Sequence, residues 1–550
     1  GDQCRMAFSS HGLSHRSTVT GRRGMIASGH PLASLAGVRI LLEGGNAIDA
    51  AIATAAALNV VEPYMSGIGG VGYMHIYSAR NKEHKICDYV GLTPADTDLA
   101  LYDDDAKQDR GPLSPLVPGA CGGWLEALRR YGSMEPADVF APAIEYAENG
   151  FALTVKNAEF FSGNSNDLRR FPSAASTYLI DGASPEPGQV LVQDDLAETF
   201  RTIAAEGAEA FYRGPIADVM AAYMADTGGL LTKKDLTNFE PVWLDPVEVA
   251  YRGHRIFAPA PPCQAVQYLE TLAILEGFDI GAMGHNSADA LHHFIEAAKL
   301  ACIDRIHYTA IDSPPTSGLL SPDFAAERRQ HISAEAAAVS MGDTYRDERQ
   351  EGEVAPGDPE PWMKNECTTH FDAIDAEGNA VACTQSLGSG FGSAMVVPGT
   401  GIALNNFMRW FDRVANSPNA IGPSKKNEMC VSPAQVWDDD GLRLLIGTPG
   451  SYGILQTTPQ MIMNVIDHKM NVQAAIEAAR CKATRNRSVD AESRIPADVL
   501  AELERRGHQI NNLGDWSAGV GGGQGIMVDP DSGAFMGGAD PRRDGYALGC

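Results

Sequence analysis

Three consecutive residues stand out as able to do chemistry: Thr368, Thr369 and His370. A threonine hydroxyl is a weak nucleophile and needs a base beside it. Inside a chain the nitrogen of Thr368 is an amide and cannot supply one. Thr-Thr is also common in strands, because β-branched residues suit them. The meaning of the triplet therefore rests on its company. Downstream come GSGFG at 388–392, GIALNN at 401–406, Ser432–Pro433 and GTPGS at 447–451. Upstream lies HPLASLAG from His30, then LLEGGNAIDAAIATAAALNVVEP to Pro63 and GIGG at 67–70. Other routes to hydrolysis lack support, since no GxSxG, SxxK or HExxH motif is present. Gly67–Gly72 matches GxGxxG, but a helix precedes it and a strand follows, the reverse of a dinucleotide site. A tight turn with close backbone passage accounts for it better.

Taken together, these motifs closely resemble the γ-glutamyltransferase family of N-terminal nucleophile hydrolases. The resemblance implies a precursor that cuts itself before the first threonine of Thr-Thr-His, here between Cys367 and Thr368. It implies a heavy chain 1–367 and a light chain 368–550, interleaved in one core. The fold expected is α+β, a four-layer αββα sandwich. Cleavage would turn the Thr368 amide into an α-amine with a pKa of about 7.7–8, suited to general-base work near neutrality. Nucleophile and base would then share one residue, so little orientational freedom need be lost. No cofactor and no metal is expected.

The resemblance also assigns supporting residues. Gly450 and Ser451 occupy the turn whose backbone N–H groups hold the oxyanion in the family, usually the largest catalytic term. Ser386 falls where a family hydroxyl bonds the nucleophile. The family grips the two charges of a γ-glutamyl group with an arginine, paired serines, an asparagine and two amine-holding residues. Here those positions fall on Val90, on Met429 and Cys430, on Gly388, and on Phe407 and Trp410. Every charged or polar anchor that aligns is replaced. Burying two charges without partners costs several kcal/mol per ion. The expectation is therefore a self-processing amidohydrolase or acylase whose acyl group is not γ-glutamyl. The neighbouring Arg409 could hold a different acyl carboxylate if it turns inward; otherwise it is a solvated arginine. A genuine γ-glutamyl hydrolase or transpeptidase is the alternative, and an unprocessed, non-catalytic member a further one.

The elements that must position these residues are readable from periodicity. Phe371–Ile374 and Ala380–Ser386 read as a hairpin around Gly378–Asn379. Residues 24–28 read as a strand, and helices follow over 31–41 and 47–60, the second apolar nearly all round and so buried. Strands are expected over 71–78, 83–90, 431–437 and 442–446, and helices over 266–275, 288–308 and 455–466. The adjacent His292 and His293 read as a half-exposed helix face and a poor metal pair. Residues 333–361 read as a mobile approach to the cleavage point.

Over the whole 550 residues the net charge is -27, which argues against a nucleic-acid partner. No apolar run is long enough to span a membrane. Ten cysteines are scattered without CxxC or Cys/His spacing, so they read as buried thiols rather than zinc ligands. The opening GDQCRMAFSS has no secretory pattern, which points to the cytoplasm, or to the periplasm or secretion if an export signal has been removed. The partner expected is a small-molecule amide; a higher oligomer is left open.

Overall fold

A computed structural model describes residues 14–340, 357–359 and 366–550. Two seven-stranded sheets, antiparallel throughout, dominate it. The first runs, edge to edge, Tyr546–Gly549, Gly24–Ser28, Glu366–Asp375, Ala380–Ser389, Val71–Ser78, Glu83–Asp88 and Val242–Leu244. The second runs Val19–Gly21, Phe535–Ala539, Gln524–Val528, Gly441–Gly447, Ala434–Asp438, His254–Ala258 and Val247–Tyr251. Both sheets thus draw strands from before and after Thr368.

Alternation of side chains across a strand decides how the sheets meet. Met25, Ala27, Ile374, Ala380 and Ala382 of the first sheet share one buried cluster with Phe257, Trp437, Leu445, Ile526 and Phe535 of the second. Each large side chain so buried contributes about 1.5–3 kcal/mol. On its other face the first sheet carries helices Pro31–Leu42 and Ala47–Val61. Ala47–Val61 is buried at every position, as its apolar sequence requires, and Asn46 with Asp49 closes a capping box at its start. The second sheet carries Val266–Leu275, Ile454–Ile466 and Val472–Glu477.

The glycine run after Ala47–Val61 is a close-approach turn. A Cβ on Gly69 would lie 1.9 Å from the Ala403 carbonyl oxygen, and one on Gly70 would lie 2.5 Å from that of Ser386. The turn therefore seats the start of Val71–Ser78 against Ser386. The helices Val155–Arg169 and Pro172–Tyr178, and the final strand Tyr546–Gly549, lie outside the sequence reading. Most of the expected mobile stretch 333–361 falls outside the described residues.

Candidate active site

The strand Glu366–Asp375 lies third in the first sheet, held on both sides. Its pairing with Ala380–Ser389 is regular from Ile374–Ala380 to Thr368–Ser386, then slips, so that Cys367 faces Gly388. The slip leaves Leu387 as an extra residue, a β-bulge at the Cys367–Thr368 bond. Leu387 N–H donates instead to the Met65 carbonyl at 3.0 Å. The bulge points Ser386 at both sides of that bond. Ser386 Oγ accepts from Thr368 Oγ1 at 2.9 Å and from Gly388 N–H at 2.9 Å. It donates to the Cys367 carbonyl at 2.7 Å. One donor and two acceptor sites are all that a hydroxyl has, so this one is fully committed.

The next two residues are fixed as firmly. Thr369 Oγ1 donates to Glu62 Oε1 at 3.1 Å. Burial pushes the Glu62 carboxyl up to about 8; the charge of Asp544 adds to this, and the Thr369 bond and Arg543 oppose it. His370 is fully buried, with Nε2 2.8 Å from Asp372 Oδ1 and Nδ1 2.8 Å from Thr384 Oγ1. Both ring nitrogens are thereby satisfied, and burial raises the Asp372 carboxyl. The second sheet presses on this ring: a Cβ on Gly447 would lie 2.2 Å from His370 Nδ1.

From Gly447 the chain enters Thr448–Pro449–Gly450–Ser451. The short 3-10 turn Ser451–Gly453 packs against the Thr368 strand. Gly450 has φ +129° and Ser451 φ +51°. The second value is left-handed, a conformation that costs a non-glycine residue about 1–2 kcal/mol. Thr448 Oγ1 braces the turn, accepting from Gly522 N–H at 3.0 Å. Neither the Gly450 nor the Ser451 N–H finds an acceptor among the described residues. The Ser451 hydroxyl faces the apolar wall, taking a bond from Trp410 Nε1 at 3.1 Å and lying 4.0 Å from Cys430 Sγ.

That wall unites the positions where the resemblance placed the anchors of a γ-glutamyl group. Val90, Phe407, Trp410, Met429 and Cys430 are all buried and join one apolar cluster with Tyr452. The Phe407 and Trp410 rings sit 4.8 Å apart on one 3-10 turn. Gly388 is the exception to a simple loss of anchor. It has φ +103°, and a Cβ there would lie 2.1 Å from Asn406 Oδ1 and 3.0 Å from Trp410. Asn406 and Trp410 fill the space. Arg409 is not a solvated arginine: its side chain is 19% exposed, and its Nε lies 3.8 Å from Asp109 Oδ1 without a hydrogen bond.

Behind Tyr452 lies a group that the sequence did not reveal. The Arg305 guanidinium sits 5.1 Å over the Tyr452 ring and donates to Gln267 Oε1 at 3.1 Å. Glu428 accepts from the Thr309 hydroxyl. Burial raises its carboxyl to about 7, with the Arg305 charge opposing. No local signal marks these residues, which come from a long helix and a loop 120 or so positions later. One sequence expectation is overturned: His292 and His293 are buried, 0% and 6% exposed, because the helix Ala288–Tyr308 is enclosed over nearly its whole length.

Known proteins resemble this chain along nearly its whole length. The model of the family described as gamma-glutamyltranspeptidase matches residues 33–550. The acylase ACY 1 proenzyme of Pseudomonas sp. (strain V22) is 38% identical over 96% of this chain and 93% of its own length. The glutathione hydrolase proenzyme of Bacillus subtilis (strain 168) is 33% identical over 97% of this chain and 93% of its own. Among solved structures, the cephalosporin acylase from Bacillus halodurans superposes with a TM-score of 0.88 at 34% identity, covering 98% of each chain.

Proposed function

The chain belongs to the γ-glutamyltranspeptidase family, and on that premise we propose a self-processing amidohydrolase, an acylase with Thr368 as nucleophile. The observation that carries the proposal is the Ser386 hydroxyl, which touches both the attacking oxygen and the carbonyl to be attacked. Thr368 Oγ1 attacks the Cys367 carbonyl carbon. Its proton passes to Ser386, and Ser386 gives its own to the Cys367 oxygen. The C–N bond then breaks, the nitrogen takes a proton, and an ester links Cys367 to Thr368. Water opens that ester, leaving chains 1–367 and 368–550. The shared sheets support such an interleaved pair, since both seven-stranded sheets take strands from each part. Two inward-facing sheets with helices on their outer faces support a four-layer αββα arrangement.

In turnover the new amine of Thr368 takes the hydroxyl proton as Oγ1 attacks the substrate amide. The open N–H groups of Gly450 and Ser451 receive the oxyanion. The leaving amine departs, and water releases the acyl group from Thr368. Ser386 keeps the hydroxyl aimed in both reactions.

The wall selects the acyl group. Val90, Phe407, Trp410, Met429 and Cys430 offer no partner for the ammonium and carboxylate of a γ-glutamyl group, and two unpartnered ions cost several kcal/mol each. Arg409 faces Asp109, and Arg305 has Glu428 to offset it. The acyl group is therefore apolar or uncharged near the carbonyl. The likeness to a cephalosporin acylase makes an N-acylated cephalosporin the first amide to try. The 33% identity to a glutathione hydrolase favours the second reading, γ-glutamyl transfer or hydrolysis. Side-by-side assay of γ-glutamyl-p-nitroanilide and a panel of N-acyl amides separates them; faster turnover of the γ-glutamyl compound would overturn the acylase reading. No disulfide joins the described cysteines, eight of which are buried, and this favours a reducing compartment such as the cytoplasm. Among the described residues no helix is long and apolar enough to cross a membrane.

A further inference from the structure

A second cluster of reactive side chains lies on the enclosed helix Ala288–Tyr308. His292 and Glu296 are one turn apart on it, and His508 meets them from the approach to the strand Gln509–Asn512. All three are buried, none more than 3% exposed. One donor atom from each lies within 4.8 Å of the others.

The hydrogen bonds fix which lone pairs are available. His292 Nε2 lies 2.6 Å from the Ser333 carbonyl oxygen, which can only accept, so Nε2 carries the ring proton. His292 Nδ1 is then a lone pair. It faces His508 Nε2 at 2.8 Å, so that nitrogen must donate. This leaves His508 Nδ1 bare, buried and without a hydrogen-bond partner. Glu296 is half satisfied: Oε2 accepts from Ala338 N–H at 3.1 Å, while Oε1 has only the Lys299 ammonium at 3.5 Å. Two imidazoles and a carboxylate thus converge. One imidazole is oriented through its far N–H by a backbone carbonyl, as metal-bound histidines commonly are.

From this convergence we infer that His292, Glu296 and His508 form a binding site for a borderline divalent cation of the zinc class. Two nitrogens and one carboxylate oxygen suit Zn2+, with the fourth position left for water. The ion takes the place of the hydrogen between the two rings, and that proton shifts to His508 Nδ1 without net release. Of the bases around the site, Arg487 adds its charge beside Glu296 and His508, while Arg506 and Lys299 have partners elsewhere. Arg506 is held by Asp289 at 2.7 Å and by Glu502 at 3.0 Å. Lys299 keeps its bond to the Ala338 carbonyl when the ion displaces it from Glu296. Two ligands precede Thr368 and one follows it. The ion would therefore clamp the two chains of a processed molecule together, and with them residues 333–338.

The full chain, stripped with chelator, dialysed and reloaded with excess Zn2+, should retain one equivalent of Zn2+ after gel filtration, measured by elemental analysis. Co2+ in the same protein should give the visible absorption of a four-coordinate nitrogen and oxygen site. His508→Ala should lose the equivalent, and Glu296→Gln should weaken its retention, since the amide oxygen is a poorer ligand than a carboxylate. Absence of a Co2+ band in the unaltered protein overturns the inference, whether or not His508→Ala folds. So does equal Zn2+ retention by His508→Ala. Either result leaves the proposed Thr368 chemistry untouched, since no step uses the ion.

Discussion

The neighbourhood of Thr368 and the apolar cluster around Trp410 are built on different terms. Around Thr368 the polar groups answer one another: Ser386 is fully bonded, Thr369 meets Glu62, and His370 has partners at both nitrogens. Around Trp410, at the positions the resemblance assigned to polar anchors, Phe407, Met429 and Cys430 pack with it as a core would. The difference separates reaction from recognition. Bond breaking needs hydroxyls and N–H groups at fixed points, which tolerate little change. On the proposed function, recognition by the apolar cluster needs only fit, so it can trade charge for apolar surface.

The largest blow to the first region is Thr368→Ala. Activity should fall by about 10^4-fold or more, and a denaturing gel should show one uncut band. Ser386→Ala should slow both processing and turnover by about 10^2–10^3-fold, the usual price of one aimed polar group; Ser386→Thr should keep most of both. A Ser386→Ala enzyme with normal processing would remove the basis of the relay.

In the wall, Gly388→Asn would place at this position the residue that the resemblance expects. Its side chain meets Asn406 and its backbone stays left-handed, so we expect about 2–3 kcal/mol of destabilisation in urea unfolding and no gain of γ-glutamyl turnover. Trp410→Ala should lower kcat/KM for a bulky apolar acyl amide about 10–100-fold and that for acetyl amides less, because a large ring leaves the pocket.

The smallest effect compares the two buried carboxyls. Glu62 beside Thr369 and Glu428 behind the wall are raised to about 8 and about 7. A raised carboxyl binds its proton more tightly when folded, so its contribution is full below the ordinary value near 4.5 and is lost as pH rises through the raised one. Stability should decline from about pH 4.5 toward 8 on Glu62's account. Glu62→Gln should flatten that decline in thermal melts across the window; an unchanged slope would show that Glu62 ionises freely.

Much of this was readable beforehand because it is local. Thr368, Thr369 and His370 are consecutive, the hairpin has its turn residues, and Ala47–Val61 declares its burial by composition. What escaped is non-local. Tyr546–Gly549 becomes a strand only because Gly24–Ser28 offers an edge. Glu62 and Thr369 are 307 positions apart, and His292 and His508 are 216 apart. Val155–Arg169 buries Asn157 and Asn164 through bonds to Val61, Tyr64 and Arg110, so its inner face does not look apolar. Gly388 was legible as a substitution, but not as a steric requirement.

The account stands on the Cys367–Thr368 bond. Intact-mass spectrometry of freshly purified, active protein tests it most directly. The prediction is two chains, the smaller beginning at Thr368. A single uncut polypeptide with full turnover would contradict it.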